Sequence, residues 1–133
     1  MPDVLETSSF NDYQRQCASL AMYPGCKKSG GGFAYLAGKY GGEAGETQEK
    51  VFKWIRDGTI PCDVDGNLLS CGDVSSLTFE QRVALAQELG DGLWYISEMA
   101  RKLGFTLAQI AWLNTAKLSD RKDRGVLVGE GDN

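Results

Sequence analysis

Histidine is missing altogether from this chain of 133 residues. That absence excludes Ser-His-Asp and Cys-His catalysis, a zinc site of the histidine-rich type, and an imidazole pH switch. Proton transfer or metal binding must fall to carboxylates, lysine, tyrosine or cysteine. Basic residues are also in short supply, 14 against 18 acidic ones, for a formal charge of −4. Broad binding to nucleic acid needs a basic footprint and is not expected. An acidic protein that handles phosphates needs metal ions as intermediaries. No apolar run approaches the length of a membrane span. Met1-Pro2-Asp3-Val4-Leu5-Glu6 carries acids where a signal peptide carries positive charge, so the expected location is the cytosol.

The four cysteines, Cys17, Cys26, Cys62 and Cys71, form no Cys-x-x-Cys unit. Free thiols are expected in a reducing compartment. A zinc site on Cys26, Cys62 and Cys71 would lack a histidine as fourth ligand, and Cys17 lies in a helical pattern.

What the chain does have is helical periodicity, with no convincing strand alternation. Phe10, Tyr13, Cys17 and Leu20 share one face of a helix expected over about 9–22, capped by Ser8 or Ser9 and stopped by Tyr23-Pro24-Gly25. A second helix is expected over about 33–56. Its stripe runs Leu36, Tyr40, Ala44, Thr47, Val51, Trp54 and Ile55. Gly41, Gly42 and Gly45 interrupt it, each costing up to about 1 kcal/mol against alanine, which suggests close approach of another backbone or a ligand. A later start near Gly42 is the alternative.

A third helix is expected over 79–103, opened by the capping-box pair Thr78 and Gln81 and closed by Gly104. A fourth is expected over about 107–118, opened by Thr106 and Gln109. The architecture is therefore all-α, a helical bundle of two long and two short helices. It reads as one domain over 1–133, with a loop insertion at about 58–77 and an irregular charged tail at about 119–133. Cys62 to Asn67 looks faintly like a calcium loop but lacks its ligand spacing and final glutamate.

The chemistry-bearing feature is paired acids. Glu43, Glu46 and Glu49 are spaced by three residues on the second helix, and Glu88 and Asp91 by three on the third. Residues at i and i+3 point to one side of a helix, so two such helices packed antiparallel bring four carboxylates together. Like charges at that range repel, and a hard divalent cation resolves the repulsion. Oxygen-only ligation suits magnesium, or manganese. Solvated faces of surface helices are the plainer reading of the same spacing. Lys117, Arg121 and Arg124 follow the fourth helix, where they complement its dipole or clamp phosphate, with Lys50 and Lys53 able to add to such a clamp.

Tyr40-Gly41-Gly42-Glu43-Ala44-Gly45-Glu46, then Glu88-Leu89-Gly90-Asp91-Gly92-Leu93-Trp94-Tyr95, then Leu113-Asn114-Thr115-Ala116-Lys117-Leu118 with Arg121-Lys122-Asp123-Arg124-Gly125, together resemble the MazG-type nucleoside triphosphate pyrophosphohydrolases. The resemblance spans about 10–125 apart from 58–77, and the three segments in order make it specific. It implies an all-α fold completed by assembly into a dimer or tetramer. It implies magnesium-dependent cleavage of a nucleotide between the α- and β-phosphates, giving a monophosphate and pyrophosphate. By motif, Glu43, Glu46, Glu88 and Asp91 are the implied metal ligands.

Two departures stand out. Gly42 sits where the first motif often has an acid, leaving Glu49 to take part of that role, and the gap between the acidic pairs is longer. The catalytic carboxylates expected to orient or deprotonate water are Glu46 and Glu49. Phosphate contacts are expected from Lys50, Lys53, Lys117, Arg121 and Arg124, those after the fourth helix reaching in from a neighbouring subunit. Asn114 is expected at sugar or phosphate. Tyr13, Trp94 and Tyr95 either stack on a base or fill the core. Short forms of this family point to the cytoplasm of a bacterium, or of a virus's bacterial host. The competing reading is a non-catalytic helical module that binds nucleotides or a protein partner through the same face.

Overall fold

The computed structural model describes residues 9–61 and 74–126. Among them are four α-helices and no strand: α1 (Phe10–Ser19), α2 (Phe33–Arg56), α3 (Phe79–Lys102) and α4 (Leu107–Asp123), with a short 3-10 turn at Val74–Ser76. The all-α class, with two long and two shorter helices, is the one the periodicities predict. Cys62, Cys71, the calcium-like stretch and the tail beyond residue 126 lie outside the described residues.

Three of the four helices open on the same device. Ser9 and Asp12, Thr78 and Gln81, and Thr106 and Gln109 each exchange two hydrogen bonds, side chain to backbone in both directions. Each pair satisfies amide donors that the first turn of a helix leaves unpaired. α2 starts instead from Gly32, whose φ of 80° is open to glycine at little cost. It then runs unbroken through its glycines, so the later start near Gly42 does not occur. Gly104, at φ 82°, closes α3: its N–H donates to Arg101 and that of Phe105 to Ala100, a Schellman ending.

Two boundaries differ from the sequence expectation. α1 ends at Ser19 rather than near Met22, and tighter bonds from Leu20 to Cys17 and Ala21 to Ala18 replace the α pattern. Leu20 and Met22 are 68% and 91% exposed, so no packing rewards another turn. α4 continues five residues past Leu118, into the stretch expected to be irregular, and ends at Asp123. The extension carries an Asp120–Arg124 ion pair at i, i+4, with Arg121 and Lys122 complementing the dipole.

The contacts divide the chain into two compact units. The first holds α1, α4, the loop after α1 and α3 from Ser97 onward. Gln14 on α1 donates to the Phe105 carbonyl at 3.0 Å and accepts from Leu107 N–H at 3.2 Å, while Asn11 accepts from Ala108 at 3.3 Å. α1 thus caps the start of α4. Cys17, Tyr23, Ala100 and Leu107 are its buried apolar residues, and Glu98 is enclosed with them. The Lys102 ammonium donates to the carbonyls of Gly25, Cys26 and Lys28 at 3.1, 2.7 and 2.5 Å, and lies 5.6 Å from the Tyr23 ring centroid. One cation therefore gathers the whole turn after α1.

The second unit spans Gly32–Ile96 and holds α2 with the N-terminal part of α3. Tyr40 lies nearest Gly92, Glu43 faces Glu88 and Asp91, and Lys50 meets Glu88. Partners on α3 fall in number as those on α2 rise, so the helices run antiparallel. Ser76 Oγ donates to the Thr59 carbonyl at 2.9 Å, tying together the two ends of the segment between these helices. The buried apolar residues here are Leu36, Ile60 and Leu77.

Candidate metal and phosphate site

The antiparallel pairing of α2 and α3 brings together three of the four carboxylates expected there, and leaves Glu46 out. One carboxylate oxygen each of Glu43, Glu88 and Asp91 come within 4.8 Å of one another. Glu43 and Glu88 are half-buried and Asp91 is exposed at the edge. Glu43 titrates above the usual carboxylate range. Burial is the main cause, followed by the negative charges of Glu46, Asp91 and Glu88. The donor set is three hard oxygens with mutual repulsion, which fits a magnesium or manganese ion and no soft metal.

Glu46 is exposed and outside this trio, although its charge is the largest of those acting on Glu43. Together with Glu49, Lys50, Lys53, Trp54 and Glu88 it lines an open cavity of about 470 Å³. A second opening of about 470 Å³ is lined by Glu43 and Glu88, with Tyr40, Thr47, Leu93 and Ile96 among its walls. Glu88 thus lines both a polar hollow and an apolar one, each within the second unit, while Glu43 lines only the apolar one.

Lys50, expected at phosphate, is paired with a carboxylate: its Nζ lies 2.8 Å from Glu88 Oε1. Lys53 lines the polar hollow and is exposed. Asn114, Lys117, Arg121 and Arg124 belong to the first unit, on α4 or at its end, and Arg124 pairs with Asp120 at 2.8 Å. Of the aromatics, Trp94 and Tyr95 meet edge to face at 5.1 Å. Tyr95 titrates above the ordinary phenol range, through burial first and then the charges of Tyr35, Glu43, Asp91 and Glu46. Tyr13 belongs to the first unit.

The glycines expected to admit a neighbour open onto space. A Cβ added at Gly41, Gly42 or Gly45 would meet nothing within 4 Å. Within one copy of the chain, no backbone among the described residues comes close there.

The structure also holds a polar network that the sequence did not reveal. Tyr23, Glu98, Arg101 and Lys102 are far apart in the chain or lie inside an amphipathic pattern, and no local motif marks them. Cys17 is buried and Cys26 half-buried; both are free thiols, and Cys26 Sγ lies 3.7 Å from the Ala21 carbonyl.

Fold and site define a helical protein with a carboxylate cluster between two antiparallel helices. It is 37% identical over 123 residues to the Gene 37 protein of Mycobacterium phage L5, covering 91% of this chain and 95% of that protein. The chain belongs to the family of that phage protein. No protein-family model matches it. No solved structure matches it. No described helix is long and apolar enough to cross a membrane.

Proposed function

We propose that the chain is a MazG-type pyrophosphohydrolase that cleaves a nucleoside or deoxynucleoside triphosphate between the α- and β-phosphates. The observation that carries this reading is the convergence of Glu43, Glu88 and Asp91 from two helices, on the segments that resemble that family. Glu43, Glu88 and Asp91 would hold magnesium, or manganese. The ion would supply positive charge against the triphosphate and would acidify water.

The chain's own groups supply the rest. Glu46 and Glu49 lie exposed on the wall of the polar hollow; in this reading they orient water and accept its proton. The hollow's lysines, Lys50 and Lys53, supply positive charge to phosphate oxygens. Water attacks phosphorus, the bridging P–O bond breaks, and monophosphate and pyrophosphate leave. The apolar opening beside Glu43 accommodates the base and sugar.

The active form is a dimer or tetramer. Tyr35, Tyr40, Phe52 and Leu89 of the second unit are 40–64% exposed, and a second copy covers such a surface. Asn114, Lys117, Arg121 and Arg124 of a neighbouring copy then complete the phosphate clamp. The relative's phage origin supports action in the cytoplasm of an infected bacterium.

The test is pyrophosphate release from each canonical and modified nucleotide with Mg²⁺ and Mn²⁺. Turnover that drops at least about a hundredfold in Glu88→Gln and Asp91→Asn supports the reading. Absence of pyrophosphate from every nucleotide refutes it. Binding that persists with Ca²⁺, without turnover, would identify a nucleotide-binding module instead.

A further inference from the structure

The polar hollow of the second unit already has a cation seated on one of its carboxylates. Lys50 Nζ lies 2.8 Å from Glu88 Oε1, with the two side chains 30% and 15% exposed. The same Glu88 contributes an oxygen to the trio with Glu43 and Asp91. Its lone pairs therefore have two claimants: an ammonium on α2 and any divalent ion placed among the three acids. An ion that draws Glu88 into its own shell competes with Lys50 for that carboxylate, and the two positive charges repel. Lysine is suited to yield. Its charge sits at the end of a flexible four-carbon stem with three rotatable donors, so it changes acceptor without moving backbone. The hollow that Lys50 lines, about 470 Å³ and open to solvent, gives it somewhere to go.

We propose that Lys50 is the resident counter-ion of the carboxylate cluster, displaced from Glu88 when a divalent cation binds and thereby released to bind phosphate oxygens. This rests on the metal-dependent reading above and deepens it. In the metal-free protein the ammonium offsets part of the repulsion that would otherwise push α2 and α3 apart at this level. When the ion enters, its charge takes over that task and one positive charge moves into the hollow. Cation binding thus prepares the site for the polyanion, and phosphate affinity becomes coupled to metal occupancy through one side chain.

The experiment measures acetylation of Lys50 in the full-length protein by a water-soluble N-hydroxysuccinimide ester, quantified by peptide mass spectrometry, with Lys53 as internal reference. Mn²⁺ binding is followed separately by calorimetry. Saturating Mn²⁺ is expected to raise Lys50 acetylation at least threefold while Lys53 changes little, and Glu88→Gln is expected to show the raised level without metal. Inorganic tripolyphosphate, with Mn²⁺ kept in excess over it, should lower the Lys50 signal again. Lys50→Gln should bind Mn²⁺ about fivefold more tightly than the native protein, the scale of one modest ion pair, and Lys50→Arg should not.

Bound Mn²⁺ with unchanged or reduced Lys50 acetylation overturns the exchange while leaving the metal site standing. A signal that stays high with tripolyphosphate overturns the transfer to phosphate. Absence of Mn²⁺ binding at millimolar concentration removes both the exchange and the metal reading. The acetylation arms use the native chain, so they remain decisive even if a Lys50 variant fails to fold.

Discussion

The phenol of Tyr23 donates to Oε1 of Glu98 at 2.9 Å, across 75 positions of sequence. The Glu98 side chain is fully enclosed, and Arg101 holds it from the other direction with bonds of 2.6 and 3.0 Å. A buried carboxylate is tolerated only when its lone pairs are satisfied in this way. Glu98→Ala leaves a buried hydroxyl and a guanidinium short of their acceptor, and should cost about 2–4 kcal/mol in urea denaturation. Tyr23→Phe removes one bond and should cost about 1 kcal/mol.

The same pair sets an alkaline limit. Tyr23 is pushed up from 10.0 to about 12, through burial first, then its hydrogen bond to Glu98 and the negative charge of Glu98. The folded phenol holds its proton more tightly than the unfolded one. The resulting stabilisation is fully present below pH 10 and is lost as pH rises through 12. Absorbance at 295 nm should show a late-ionising tyrosine that is missing in Tyr23→Phe, besides the raised Tyr95. The urea midpoint should fall between those pH values, and fall less in Tyr23→Phe.

At the carboxylate cluster the sign matters for the metal-free state. Glu43's raised pKa means that protonation favours the fold. That contribution is complete below 4.5, its ordinary value, and disappears as pH rises through the higher folded value. Glu43→Gln should therefore raise the melting temperature of the metal-free protein at pH 7, by about 1–3 °C. It should also remove the further rise that native protein shows with Mn²⁺. Thermal scans of both proteins with EDTA and with Mn²⁺ check the reversal.

Glycine positions test whether a second surface meets α2. Nothing lies within 4 Å of a Cβ built at Gly38 or Gly90, and alanine there should gain up to about 1 kcal/mol each. Gly42→Ala and Gly45→Ala offer the same gain in an isolated chain. A lower melting temperature at these two positions alone, together with a smaller mass by light scattering, is the result expected if the oligomer packs on that face.

Sequence periodicity was sufficient where one face of a helix repeats locally. The bounds of α2 and the start of α3 follow from apolar stripes and from the Thr78–Gln81 signature. The end of α4 was hidden because Ser119 to Asp123 is polar throughout, and its helix is sustained by charge pairs that no apolar pattern announces. Spacing predicts that Glu43, Glu46, Glu88 and Asp91 converge; Glu43, Glu88 and Asp91 do, while Glu46 stays exposed outside the trio, because i, i+3 spacing puts two side chains on one side of a helix without aiming both at its neighbour. It did not place Lys50 on Glu88, because a lysine among glutamates reads equally well as a phosphate ligand. Of the Tyr23–Glu98–Arg101 network only the Glu98–Arg101 pair is local, at i, i+3; Tyr23 joins it across 75 positions, after the chain has folded back on itself.

Lys102 gives one position unusual diagnostic value among relatives. Exchange of lysine for arginine is usually the mildest change of a basic residue. Here three backbone carbonyls, from Gly25, Cys26 and Lys28, converge on a single ammonium, a pattern that a planar fork of fixed donors does not reproduce. A homologue that keeps lysine at the aligned position should therefore inherit this turn even if the residues of the turn itself have drifted. A homologue with arginine there should have rebuilt it. One side chain thus serves as a marker for the course of a loop it only touches.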